Sequence, residues 1–304
     1  MIETFFKYFH TIRFLKISQI IWRILKRFKL TNTSEQKLID QRDLINKWYE
    51  VRIAKVHILD KSSFEFLNKS HNYLGSIDWN DSEQEMLWLF NLHYFDDLCS
   101  PFDPQRNIWL RELVDNWIDD NPPMYGVGWE AYPLSLRIVN WIKWILNGES
   151  IDSRWLHSLK LQMHILSQNI EYHLLGNHLL ANAKALIFGG LFFKGQKAEG
   201  WLNLGLKIYN KQLQEQILPD GGHFELSTMY QNIMLNDLLD LINISKSYDH
   251  PEVNKFLNDW CSKAGLMLSW ANTMKHPDGE ISFFNDAAFG IAPSQSVLDK
   301  YAKA

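Results

Sequence analysis

Residues 179–193, Leu-Leu-Ala-Asn-Ala-Lys-Ala-Leu-Ile-Phe-Gly-Gly-Leu-Phe-Phe, carry a single charge, Lys184. At helical spacing that is about four turns without a polar face, and such a helix has to be covered on nearly all sides. Ala181, Ala183, Ala185, Gly189 and Gly190 keep it thin enough for neighbours to pack closely. Only a sizeable assembly provides that cover. With 304 residues, 46% hydrophobic and 22% charged, the chain is long enough for one large globular domain or two smaller ones.

The rest of the chain supplies candidate partners. A period of 3.6 runs through residues 83–94, 109–117, 133–146, 153–172, 177–193, 197–218, 228–244 and 253–274. No segment alternates as a central strand does, and residues 56–79 read as irregular with short extended pieces. Pro-Asp-Gly occurs at 219–221 and again at 277–279, each time after a long helix. That recurrence, about one helical hairpin apart, predicts a repeated unit with equivalent loops at one end, and hence an all-α fold, an α/α toroid, over residues 53–304.

Ahead of it, residues 1–30 are basic and amphipathic. Lys7, Arg13, Lys16, Arg23, Lys26, Arg27 and Lys29 stand against Glu3 alone, and Phe5, Phe6, Phe9, Leu15, Ile20, Ile21 and Ile24 form the apolar stripe. The longest uncharged apolar stretch is too short for a membrane span or a signal peptide, which makes the cytoplasm the default location. A helical arm packed on its own domain is preferred to a membrane-surface helix, although the basic charge leaves room for contact with an anionic membrane or glycan. A polar linker at 31–36 and a second helix reaching residue 52 are expected to follow. A net charge of −4 gives no case for nucleic acid. Cys99 and Cys261 match no CxxC spacing and read as free and buried.

Two polar clusters, each followed by a helix, read as one site: Glu171-Tyr-His-Leu-Leu-Gly-Asn-His178 and Asp220-Gly-Gly-His-Phe-Glu-Leu-Ser-Thr-Met-Tyr230. Gly176 interrupts the helical pattern and Asn177 is a candidate cap. Ser227 caps the later helix, which puts Tyr230 in its first turn. Helix starts present unpaired N–H groups and the positive end of a dipole, so two of them together suit an anion. Arg137, Asn140, Trp141 and Trp144 fall on one helix face, offering either a carboxylate fork beside aromatic platforms or a core stripe with one buried ion pair. Trp129, Glu130 and Tyr132 lie in or beside a Gly-rich loop, suited to the rim of a sugar cleft. No metal is implied, since His173 and His178 are five apart and no HExxH pattern occurs.

Five stretches in the same order, Trp88-Leu-Phe-Asn-Leu-His-Tyr-Phe95, Trp129-Glu-Ala-Tyr-Pro-Leu-Ser-Leu-Arg-Ile-Val-Asn-Trp141, Leu174-Leu-Gly-Asn-His-Leu-Leu-Ala-Asn182, Asp220 to Tyr230 and Phe284-Asn-Asp286, resemble the α-helical domain of the heparinase II/III family. The resemblance implies an incomplete α/α toroid, paired in the family with a C-terminal β-sandwich that is absent from this chain. It also implies cleavage of uronic-acid polysaccharide by β-elimination without a cofactor. On the family pattern Asn177 and His178 neutralise the substrate carboxylate and Tyr230 moves the proton. As a base the phenol needs a lowered pKa, whereas as an acid it does not. Arg137, Asn140, Trp129, Trp141, His223 and Glu225 become candidate substrate contacts, with Glu225 placed to orient His178 or His223.

Two departures stand out. The family run Ser-Pro-Met-Tyr-His is here Ser227-Thr-Met-Tyr-Gln231, which removes an ionisable group, and the chain ends at Ala304, where the β-sandwich and its catalytic histidine are expected. His223 and His276 are the loop histidines left to stand in for it. The leading function is therefore a uronate-polysaccharide lyase or its helical half. The alternatives are a glycoside hydrolase using Glu225 with Asp220 or Asp286, and a noncatalytic saccharide-binding protein.

Overall fold

In the computed structural model, residues 10, 13, 15–28, 30–34, 40–150 and 152–304 are described. Phe5, Phe6, Phe9, Lys7 and Lys29 of the basic arm, and residues 35–39 of the expected linker and second helix, lie outside them. The nearly uncharged stretch is helix α6 (Gly176–Phe192), every residue of which from Leu179 onward is buried. It is covered as its sequence demands. Helix α4 (Ala131–Leu146) and helix α8 (Thr228–Tyr248) flank it, while α5 (Ser153–Gln168) and α7 (Gln196–Gln216) pack outside. Helix α9 (Pro251–Met274) backs α8, and α10 (Gln295–Lys303) wedges against both. Inner helices α4, α6 and α8 with outer helices α5, α7 and α9 make the incomplete toroid of hairpins. Helices α2 (Met86–Tyr94) and α3 (Pro104–Asp120) precede them.

The small residues of α6 act where two backbones meet. A Cβ at Gly190 would lie 2.6 Å from the Leu202 backbone nitrogen, and one at Gly205 would lie 2.9 Å from the Ala183 carbonyl oxygen. The one charge of α6 is answered from across the ring: Lys184 Nζ donates to Asp237 at 2.6 Å and to Asp240 at 2.7 Å. Lys143 on α4 and the Tyr301 hydroxyl on α10 also donate to Asp240, at 3.0 and 2.9 Å. Burial alone would lower the Lys184 pKa, but the two carboxylates hold it above the ordinary value. Four helices are thereby tied together around one buried cluster.

The two Pro-Asp-Gly turns close alike, after α7 and after α9, with Gly221 at φ 92° and Gly279 at φ 90°. A side chain at Gly221 would also strike the Leu266 carbonyl. Residues 56–79 form a three-stranded antiparallel sheet of β1 (Ile58–Asp60), β2 (Ser63–Phe66) and β3 (Lys69–Asn72).

Two expectations fail. Residues 40–52 are not helical; they form a strap whose backbone donates from Arg42 to Phe192 and from Ile45 and Asn46 to Ser247, so the ends of α6 and α8 take up the bonds a helix would have kept. Cys99 is buried, but Cys261 is exposed on α9.

Candidate active site

The loop between α5 and α6 turns sharply, with Leu175 at φ 66° and Gly176 at φ 57°. Helix α6 begins at Gly176, so Asn177 does not cap it as the sequence suggested. Asn177 sits inside the first turn, half-buried, and its side chain takes no hydrogen-bond partner among the described residues. His178 follows, with its side chain 32% exposed. Its Nδ1 lies 3.3 Å from each carboxylate oxygen of Glu171. Glu171 is itself buried and anchored, because Asn182 Nδ2 donates to it at 3.1 Å and Asn182 Oδ1 accepts its backbone N–H at 2.8 Å. A carboxylate on one ring nitrogen fixes the tautomer and leaves Nε2 without a hydrogen bond among the described residues. The imidazole lies on the Tyr132 ring, centroids 4.3 Å apart.

The second cluster meets the first through Gln216 at the end of α7. Its Nε2 donates to the Gly176 carbonyl at 3.1 Å, its Oε1 pairs with His223 Nε2 at 3.2 Å, and its own carbonyl accepts from Phe224 N–H at 2.8 Å. Glu225 is thereby brought beside Gly176, whose missing side chain would stand 3.7 Å from the Glu225 carboxylate. Ser227 caps α8 by accepting from the Tyr230 N–H, as expected, and its hydroxyl donates to the Asp286 carbonyl. Asn285 donates to the carbonyls of Glu225 and Leu226, so the Phe284-Asn-Asp286 stretch straps this loop in place.

Tyr230 is half-buried. Burial, then the Asp286 and Glu225 carboxylates, raise its pKa above that of an ordinary phenol. The lowered value that a phenolate base requires is therefore not provided, because carboxylates rather than cations surround the hydroxyl. Tyr132 is likewise held protonated, by burial first and then by Asp237, Tyr230, Asp96 and Glu171. Glu225 also has a raised pKa, from burial and from Asp286.

Several expected substrate contacts are turned inward. The Arg137 guanidinium is fully buried, donating to Gln162 at 2.9 Å and to the carbonyls of His93 and Gly128 at 3.3 and 2.9 Å. It also lies 3.8 Å from the centre of the Trp117 ring. With every face occupied it has no fork left for a carboxylate; it holds the α2 end and the 127–129 turn onto α4. Asn140 donates to the Tyr94 carbonyl and to Asp96, and Trp129 and Trp141 are buried, so these three belong to the core. His223 is sealed, and burial pushes its pKa down to about 4. Gln231, which the sequence marked as a lost ionisable group, is buried too. Its Oε1 accepts from His223 N–H and its Nε2 donates to the carbonyls of Gly221 and Met267, which staples the 220–223 turn to α9. Glu171 and Gln216 carry the site's geometry and were not singled out. The signal for Glu171 was an acid at the head of the same polar cluster as His178.

A family model described as Heparinase II/III N-terminus matches residues 19–303. Among characterised proteins, a heparin-sulfate lyase of Bacteroides stercoris is 25% identical over 254 residues, covering 72% of this chain and 38% of that protein. One from Bacteroides thetaiotaomicron is 28% identical over 241 residues, covering 70% and 32%. Among solved structures, heparinase III aligns with a TM-score of 0.55 at 23% identity over 75% of this chain and 38% of the other. The heparan sulfate lyase HepC of Pedobacter heparinus gives 0.54 at 16% identity over 88% and 45%. The chain thus spans less than half the length of these relatives.

Proposed function

The chain belongs to the heparinase II/III N-terminal family, and from that premise we propose that its cleft holds a uronic-acid-containing polysaccharide and contributes to cleaving it by β-elimination. The observation that carries the reading is the buried, anchored Glu171 holding the half-exposed His178 next to Asn177, on a loop that Gln216 ties to the 220–230 stretch bearing Tyr230. Elimination removes the proton α to the uronate carboxylate, moves that electron pair into a new carbon–carbon double bond, and expels the glycosidic oxygen. Asn177, at a helix start, donates to the carboxylate as it becomes enolate-like. His178 Nε2 takes the α-proton, and the Glu171 carboxylate stabilises the resulting imidazolium. Tyr230 donates its proton to the departing oxygen, the role its raised pKa suits.

The activity for which the relatives are named, heparin-sulfate lyase, supports an anionic polysaccharide as the class of substrate. The test is ultraviolet absorbance of the unsaturated uronate when the protein is incubated with heparan, hyaluronan, alginate and bacterial capsular uronans. A rise with one substrate that disappears in His178→Ala and Tyr230→Phe supports the reading; new reducing ends without absorbance would overturn it in favour of hydrolysis. The hydrolytic alternative has one observation of its own, the raised Glu225 carboxyl beside Asp286, which suits a general acid.

A further inference from the structure

The basic arm is a helix, α1 (Ile17–Phe28), and it is mounted with the wrong side out for a soluble protein. Its contacts with the toroid come from its polar side. Gln19 donates to the carbonyls of His173 and Leu174, Lys26 Nζ lies 3.5 Å from His173 Nε2, and Lys16 pairs with Glu215. Trp22 adds an apolar contact, stacking on Tyr172 with ring centroids 4.6 Å apart, and Leu25 lines the crevice beside it together with Ile170 and Leu204. Ile17, Ile21, Ile24 and Phe28, at i, i+4, i+7 and i+11, share the opposite face and are 76%, 50%, 54% and 80% exposed. Leu25, 47% exposed, lies between that stripe and the toroid. None of the twelve residues is buried.

An amphipathic helix ordinarily buries its apolar stripe against its own core. Here the polar bonds hold the helix in the reverse orientation, and Arg23 and Arg27 flank the exposed stripe on one side. The helix carries no acidic residue, although the whole chain has a net charge of −4. We infer that α1 is an interfacial anchor whose apolar face enters the headgroup region of an anionic lipid bilayer, while Arg23 and Arg27 pair with lipid phosphates. Charge complementarity selects this occupant: a cationic margin around a bare apolar stripe is the pattern that joins acyl burial to attraction by acidic headgroups. The toroid then rides on the surface with the 171–178 loop next to the anchor, since Gln19 and Lys26 grip that loop at His173 and Leu174, five and four residues ahead of His178.

The experiment is flotation of the 304-residue protein with phosphatidylcholine vesicles, with and without phosphatidylglycerol. Expected is binding to the anionic vesicles that weakens as salt is raised, with little binding to phosphatidylcholine alone. Each of Ile21→Glu and Phe28→Glu should weaken binding by about tenfold or more. Arg23→Glu should weaken binding to the anionic vesicles only. The apolar substitutions lie outside the core, so an unchanged far-ultraviolet spectrum and melting temperature will show that folding is intact. No binding to anionic vesicles, or equal binding by the Ile21→Glu/Phe28→Glu double variant, overturns the inference. So does a sedimentation result in which the protein dimerises through this face and the double variant is monomeric.

Discussion

His178 Nδ1 stands 3.3 Å from both carboxylate oxygens of Glu171, and the two residues reach each other across a loop that reverses at Leu175 and Gly176. A bidentate approach of this kind leaves Nε2 as the only ring nitrogen available to a substrate. The pair is therefore the part of the cleft most sensitive to conservative change.

Replacing Glu171 with Gln keeps the size of the side chain and a hydrogen-bonding oxygen but removes the charge that stabilises an imidazolium. The expected result in the ultraviolet assay is a fall in kcat of about 10²- to 10⁴-fold with KM little changed. A change confined to KM would move Glu171 out of the proton-transfer machinery.

Tyr230→Phe deletes a hydroxyl that makes no hydrogen bond among the described residues, so the variant should melt with the parent protein yet lose activity by a similar factor, about 10²-fold or more. The pH profile gives a second check. A phenol acting as acid must be protonated, and one with its pKa raised above 10 stays protonated throughout the alkaline range. Activity should accordingly show no loss attributable to this group below about pH 10. A basic limb near neutrality that vanishes in Tyr230→Phe would contradict the assignment.

Two sealed histidines make the fold sensitive to acid. Burial, with Arg137 nearby, pushes the His93 pKa down to about 3, and burial alone pushes His223 to about 4, from an ordinary 6.5. Between those values and 6.5 the unfolded chain binds the protons that the folded one refuses, so this stabilisation is complete above about pH 6.5 and is lost as pH falls. The melting temperature should drop steadily from about pH 6.5 to 4, with His223→Asn removing part of the slope. A flat profile over that window would refute the argument.

Gly190→Ala forces a methyl group against the Leu202 backbone and should destabilise the protein by about 1–3 kcal/mol, read by urea denaturation, because neither helix backbone can yield cheaply. An equally small change on the exposed outer face, Gly200→Ala, meets nothing within 4 Å and serves as the control.

What the sequence made legible divides along physical lines. The burial of α6 followed from having one charge in fifteen residues, and the helical hairpins followed from period and turn chemistry, both of which are local. The strap at residues 40–52 has no local signature that separates it from a helix, because its hydrogen-bond partners are about 150 to 200 residues away, at Phe192 and Ser247. Arg137 could not be placed, since an Arg with Trp at i+4 and i+7 has the same spacing whether it lines a cleft or a core. Only the carbonyls of His93 and Gly128, supplied by other elements, decide between the two. The sequence does not tell Glu171 from Glu225 as the partner of His178, because the positive-φ residues Leu175 and Gly176 determine which acid faces it, and only the glycine is legible as a break.

Gln231 makes three hydrogen bonds with one uncharged amide, accepting one and donating two. Neutral imidazole has a single donor and a single acceptor, so the histidine usual at this point in the family motif could not reproduce that set, and on gaining a proton it would surrender the acceptor. In this chain the clasp on the loop bearing Glu225 has no proton to gain or lose. Acid acts on that turn through the sealed His223 and not through the amide that fastens it.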